Sequence, residues 1–195
     1  LDEWRDWLDH PPPDASAGFL DTVRSFLPDI ARARDLVAGQ PPAAQRPAAV
    51  AHRDLKPDNV LLSAAGPVLV DWEGAGVDIA AWDAARTALA FSRSPDRGGR
   101  QAPFQRLLRA YGAAGGGRVP PAAGSFEGLL RHQLGASAWL LWRALGHRPV
   151  TPAERAAAHG HALEFLTDLR STLAHLPEWV SWLAELPPAP PTGPR

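Results

Sequence analysis

Residues 52–59 read HRDLKPDN, and residues 68–76, VLVDWEGAG, place Asp71 twelve positions after Asn59. Lys56 is the one lysine among the chain's 20 Lys and Arg residues, and Asn59 is its one asparagine. Abundant Ala, Gly, Pro and Arg indicate a GC-rich coding bias, which drains Lys and Asn from positions where substitutes serve. A lysine and an asparagine that persist three positions apart, between Asp54 and Asp71, mark a place where side-chain chemistry matters, because arginine does not replace lysine as a compact point charge.

The local pattern around this run changes period. NVLL (59–62) and PVLVDW (67–72) are short, apolar and rich in valine and leucine, with SAAG between them, and read as a buried β-hairpin. The run 52–59 then lies on a loop entering one strand, and Asp71 stands at the end of the next. Upstream, Leu1, Trp4 and Leu8 share a helical face. Ser16 is placed to cap a second helix that buries Phe19, Val23, Phe26, Leu27 and Ile30, with Pro28 as a kink. GQPPAAQRP (39–47) reads as a linker. Residues 1–51 contain no convincing strand. Downstream of Gly76 the pattern is helical throughout, over about 78–92, 101–111, 124–145 and 152–175. Phe126, Leu129, Leu130, Leu134, Leu141, Trp142 and Leu145 form an apolar stripe ended by Gly146. Thr151 to Glu154 (TPAE) is a capping box with proline at the first helical position. A last turn around Trp179 and Trp182 precedes a Pro-rich tail, 187–195, that is expected to be disordered.

Composition narrows the classes. The 195 residues carry a net charge of -1, so neither nucleic acid nor an anionic membrane is favoured as a partner. No run approaches about 18 apolar residues, and no signal peptide opens the chain. The absence of cysteine excludes disulfides and thiolate metal sites and fits a cytoplasmic location. Methionine is also absent, which suggests that the chain is a truncated one.

HRDLKPDN followed by an aspartate after a hairpin matches the kinase signature H-R-D-L-x-x-x-N plus a metal-binding Asp. Phosphoryl transfer needs a carboxylate aligned with the accepting hydroxyl, oxygen ligands for magnesium, and a cation near the moving phosphoryl group. In those terms Asp54 and Lys56 are the catalytic candidates. Asn59 and Asp71 are the candidate ligands of Mg²⁺, and with Lys56 they are the contacts to the nucleotide, ATP or GTP.

The run alone is similar to Ser/Thr protein kinases, but the residues after Val70 are not. DWEGAG (71–76) stands where those proteins carry Asp-Phe-Gly, and only VDIAA separates Gly76 from Trp82 and Asp83. That leaves no room for an activation segment. His-x-Asp-x-x-x-x-Asn, then VDWEGAG, then WDAARTALAF (82–91), then LLWRALG (140–146), resembles the aminoglycoside phosphotransferase / choline kinase-like family. The resemblance implies an α+β, mainly α-helical fold: a protein kinase-like C-terminal lobe over residues 1–186, with its catalytic loop at 52–59, a metal-binding strand end at 71–73 and a helical substrate subdomain at about 100–186. It also implies Asp54 as catalytic carboxylate, a small-molecule hydroxyl as acceptor, such as an aminoglycoside, and a bacterial, cytoplasmic enzyme. The family's usual glycine after the histidine is Arg53 here, and Arg53 is expected to pair with a nearby carboxylate. Residues 1–51 hold no lysine and no Gly-rich loop, so the nucleotide-binding N-terminal lobe is expected to be missing and the chain to have little activity alone. A protein kinase fragment and a non-catalytic kinase-like binding module are the competing readings.

The remaining candidates take quieter roles. His52 reads as a buried hydrogen-bonding support of the loop, Asp83 as an anchor of the loop backbone, and Asp58 as a turn residue. Glu73 assists the metal site through water or is simply solvated. His159 and His161, two apart on a helix, do not face each other and make no metal pair. Trp139, Trp142, Trp179 and Trp182 read as core or lid packing. Glu127, Glu154, Glu164 and Asp168 read as solvated helix faces, with the wall of a pocket for a cationic amino sugar as the alternative.

Overall fold

The structure is a computed structural model that describes residues 2–40, 46–148 and 151–187. The chain divides into two compact units, one of residues 1–39 and 130–174, the other of 40–129 and 175–195.

The first unit is entirely helical among the described residues. Helix α1 (Asp2–Asp9) buries Trp4 and Leu8. Ser16 accepts a hydrogen bond from the Phe19 backbone N–H at 3.4 Å and starts α2 (Ala17–Arg24). The single helix expected here is two. Pro28 cannot continue a helix, and it sits in the first turn of α3 (Leu27–Ala38), where its missing N–H costs nothing. Helices α6 (Glu127–Ala144) and α7 (Pro152–Ala184) complete the unit with Leu130 to Ala144 and Pro152 to Ala174. Its core joins Leu8, Val23 and Ala33 to Leu141, Leu166 and Leu169, all at or below 1% exposure. Gly146, at φ 78°, ends α6 in the left-handed conformation that suits glycine. The capping box at the head of α7 is formed reciprocally: Thr151 N–H donates to Glu154 at 2.7 Å, and Glu154 N–H donates to Thr151 Oγ1 at 3.2 Å.

The second unit carries all the strands. The expected hairpin forms from β2 (Val60–Ser63) and β3 (Gly66–Leu69). A second antiparallel pair joins β1 (Ala48–Ala51) to β4 (Gly76–Ile79), with Ala48 opposite Ile79 and Ala51 opposite Gly76. Both strands of that pair run against expectation. AAVA has almost no β-propensity of its own, and GVDI flows directly into α4 (Ala80–Ala90). Each is a strand only because the other supplies its hydrogen bonds. Helix α5 (Gln101–Ala113) follows. Phe104, Phe126, Trp179 and Trp182 form the aromatic core, with ring centroids 5.4 to 6.5 Å apart.

Three further expectations are corrected. The hairpin is not buried: Leu62 is 88% exposed, and Leu61, Val68 and Leu69 are also exposed. Helix α7 does not stop near residue 175 but runs through Pro177 to Ala184. The exposed Pro177 gives up one hydrogen bond, while Leu176, Trp179 and Leu183 stay buried. Helix α6 begins at Glu127, because residues 123–126 form a tighter 3₁₀ turn. Leu1, most of the 39–47 linker and the tail beyond Pro187 lie outside the described residues.

Candidate active site

Strand β1 delivers the chain into the loop 52–59, and β4 returns beside it, so the loop's start and the turn after Asp71 are neighbours through the Ala51–Gly76 pair. Two hydrogen bonds close the frame. Val70 N–H donates to the Asn59 carbonyl at 3.1 Å, and the Val70 carbonyl accepts from His52 Nε2 at 2.8 Å. His52 is 5% exposed and packs on Trp72, ring centroids 4.7 Å apart, while Trp72 Nε1 donates to the Leu69 carbonyl. These contacts tie Val70, the residue before Asp71, to both ends of the 52–59 run.

Two backbone positions in this frame are unusual. Arg53 has φ 67°, and Asp71 has φ 65° and ψ 55°, both in the left-handed region that ordinary residues avoid. Such conformations persist only where surrounding structure imposes them, and they concentrate at functional sites. The conformation of Arg53 also explains why a glycine suits that position.

The side chains converge on Asp54. Lys56 Nζ donates to Asp54 Oδ2 at 2.7 Å, and Asn59 Nδ2 donates to the Asp54 carbonyl at 2.8 Å and to Oδ2 at 3.2 Å. Asn59 is buried, whereas the Asp54 side chain is 52% exposed and open to a ligand. Partial burial pushes the Asp54 carboxyl up. The hydrogen bond and charge of Lys56, the Asn59 amide and the charge of Arg86 together outweigh it and hold the carboxyl below its ordinary range. Lys56 is held above its ordinary value, first by its hydrogen bond to Asp54 and then by the charges of Asp54, Asp71 and Asp58. Lys56 therefore sits in the field of Asp54 and Asp71 at once. No group of three or more His, Cys, Asp or Glu that could hold a metal occurs among the described residues. The oxygens present, Asn59 Oδ1 and the Asp71 carboxylate, suit a magnesium ion that takes its other ligands from phosphates and water.

The sequence model of the phosphotransferase enzyme family (APH) matches residues 2–124. The chain belongs to that family. Its loop, hairpin and following aspartate thus sit on the scaffold of small-molecule phosphotransferases, a kinase-like group that generally uses ATP and Mg²⁺. Among solved structures, the crystal structure of a choline/ethanolamine kinase family protein from Mesorhizobium loti is similar at 23% identity and a TM-score of 0.45. The alignment covers 91% of this chain and 57% of that one, so this chain spans little more than half of that relative's length. A comparison with curated proteins finds no match.

Elsewhere on the phosphotransferase-family chain, several residues fall differently from their sequence reading. Asp83 does not anchor the loop backbone. It accepts from Arg86 at 2.6 Å, and Asp78 lies 3.9 Å from the same guanidinium. Arg86, which sequence reasoning missed, is a second cation, after Lys56, whose charge reaches Asp54; the i, i+3 spacing of Asp83 and Arg86 was the available signal. Among the described residues Arg53 pairs with no carboxylate, and its guanidinium instead lies over Gly76, where a β-carbon would come within 3.2 Å of Nη1. Glu73 and Asp58 are exposed.

The carboxylates offered as helix-face residues also separate. Glu127 is 2% exposed and forms an ion pair with Arg46 at 2.7 Å, so it is not solvated. Glu154 is the capping-box partner of Thr151, and Glu164 is exposed. His159 stacks on Phe19, ring centroids 4.2 Å apart, and its Nε2 lies 3.2 Å from the Ala144 carbonyl, a structural role. Trp179 and Trp182 are core, whereas Trp139 is 46% exposed and stacks on Trp142.

Proposed function

We propose that the chain is the catalytic lobe of a small-molecule kinase that moves the γ-phosphoryl group of ATP or GTP to a hydroxyl of an acceptor such as an aminoglycoside. The observation that carries this reading is Lys56, hydrogen-bonded to Asp54 and within the charge field of Asp71, with the buried Asn59 amide on the same carboxylate. In the proposed reaction Asp54 accepts a hydrogen bond from the acceptor hydroxyl and points its oxygen at the γ-phosphorus. The new O–P bond forms as the bond from the γ-phosphorus to the nucleoside diphosphate breaks, and the hydroxyl proton passes to Asp54. A carboxylate held below its ordinary range is a weak base, so alignment is its main contribution, in keeping with a loose transition state. Lys56 swings from Asp54 to the γ-phosphate and places positive charge where negative charge spreads. Asn59 Oδ1 and Asp71 hold Mg²⁺, which supplies neutralisation of the phosphate oxygens. His52, Arg53 and Asp83 support the site, His52 by its bond to Val70 and Asp83 through Arg86, and Glu73 lies beside the metal ligands.

The exposed leucines of the hairpin support a second element of the reading: another lobe of the same protein, carrying the rest of the nucleotide site, covers that face. On this reading the chain alone turns over slowly. The direct passage from Asp71 into β4 and α4 disfavours a peptide-phosphorylating enzyme, which needs an activation segment there. No helix among the described residues is long and apolar enough to cross a membrane, and we place the enzyme in the cytoplasm with its nucleotide.

Calorimetry with ATP and with GTP, each with and without Mg²⁺, tests the nucleotide site. We expect magnesium-dependent binding that Asp71→Ala abolishes. In the protein carrying both lobes, Asp54→Ala is expected to lower kcat by about 10³-fold or more with the fold intact. Turnover close to wild type in that variant would remove Asp54 from the chemistry, and unchanged magnesium dependence in Asp71→Ala would remove Asp71 from the metal site.

A further inference from the structure

The β1–β4 ladder has two ends. One, at Ala51 and Gly76, opens on the catalytic loop; the other, at Ala48 and Ile79, opens on a cavity of about 460 Å³. Its wall includes Pro47, Ile79, Trp82, Tyr111, Arg118 and Pro120, and no residue of the 52–59 loop or of the Asp71 turn lines it. Its volume is that of pockets that enclose a small organic molecule.

The walls are held firmly. Trp82 Nε1 donates to the Gly124 carbonyl at 2.8 Å, and Ser125 Oγ donates to the Pro120 carbonyl at 2.6 Å. A β-carbon on Gly128 would meet Trp82 at 2.9 Å, and one on Gly116 would overlap the Tyr111 ring. Arg46 lies over the Trp82 ring at 5.2 Å, with its charge offset by Glu127.

The charged side chains on the wall, Arg46 and Arg118, share one sign. Arg118 makes no ion pair or hydrogen bond among the described residues, and neither does the hydroxyl of Tyr111, the chain's one tyrosine. The first residues of α4, Ala80 and Ala81, form part of the wall, and no side chain caps that helix end. The Ala80 N–H is taken by the Pro47 carbonyl at 3.3 Å, and the helix dipole leaves partial positive charge on the rest of that end. One uncompensated guanidinium, a positive helix end, a phenolic hydroxyl and a mainly apolar wall with two aromatic rings fit one kind of molecule. We propose that this cavity is a second ligand site, separate from the phosphotransfer centre, that binds a small aromatic monocarboxylate with its ring against Trp82 and its carboxylate on Arg118.

The probe is 3-phenylpropionate, with its primary amide and 3-phenylpropylamine as the neutral and cationic counterparts. Titration calorimetry on the chain is expected to give one site for the carboxylate. The amide and the amine should bind about tenfold or more weakly, the loss expected when a charge-assisted contact is removed. Arg118→Ala should weaken the carboxylate to the level of the amide, and Ala122→Phe, at an exposed wall position, should abolish binding while leaving the thermal melt unchanged. Nuclear Overhauser contacts from the probe's ring protons to the Trp82 indole provide a check that needs no variant. Saturating magnesium-ATP should leave probe binding unaltered. The proposal is overturned by absence of carboxylate binding, by equal binding of the amine, by binding that survives Ala122→Phe, or by displacement with magnesium-ATP.

Discussion

Lys56 and Asn59 both donate to the Asp54 carboxylate, so the charged forms of Asp54 and Lys56 favour each other and the Asn59 amide favours the ionised carboxylate. The Asp54 carboxyl is depressed and the Lys56 ammonium raised. The stability that Asp54 gains is therefore complete above its ordinary carboxylate value and is lost as pH falls through the lower folded value. The stability that Lys56 gains is complete below its ordinary value and is lost as pH rises through the higher folded one. Between those limits the pair makes stability flat with pH, and at half exposure it is worth about 0–1 kcal/mol. Lys56→Met should raise the Asp54 midpoint, read by carboxyl ¹³C titration; an unchanged midpoint would show that the lysine does not govern it. Arg53 offers a second test. Relief of its left-handed backbone by Arg53→Gly, less the entropy cost of glycine, should raise stability by about 0.5–1 kcal/mol in urea unfolding. A loss of stability would mean that the guanidinium's contact over Gly76 matters more than the backbone. The rarity of lysine and asparagine made two of these residues legible in the sequence. Arg86 was not, because its influence on Asp54 depends on a fold that returns α4 to the loop.

Among the elements, the hairpin is where pattern and environment part. NVLL and PVLV are as apolar as core strands, yet Leu62 is 88% exposed. Leu62→Glu should therefore change the stability of this chain by no more than about 0.5 kcal/mol, as at other surface positions. The same substitution in a packed core would cost several times more, and a chemical denaturation curve separates the two cases. Hydrophobic period reports which residues suit burial, not what buries them. Strands β1 and β4 show the converse. Their sequences promise little, and long-range pairing makes them strands.

Across the whole of the second unit, the buried Arg46–Glu127 pair joins segments 81 positions apart. Breaking it by Arg46→Met would take the Arg46 charge away from a buried carboxylate and should cost about 3–5 kcal/mol, whereas the double variant with Glu127→Met should recover most of that loss. A thermal-melt cycle of wild type, the two single variants and the double variant measures the coupling, and additive losses would show that the pair is not a unit. Glu127 looked like any helix-face glutamate because burial is a property of what packs around a residue. Local features of the sequence were enough to determine the loop 52–59, the turn into Asp71, the helix caps and the family, since backbone conformation, capping and side-chain chemistry act over a few positions. Only the tertiary structure decided which charges meet, that the hairpin stands exposed, and that a cavity opens at the far end of the β1–β4 ladder. Those depend on contacts between residues distant in the chain, whose free energy no short window contains.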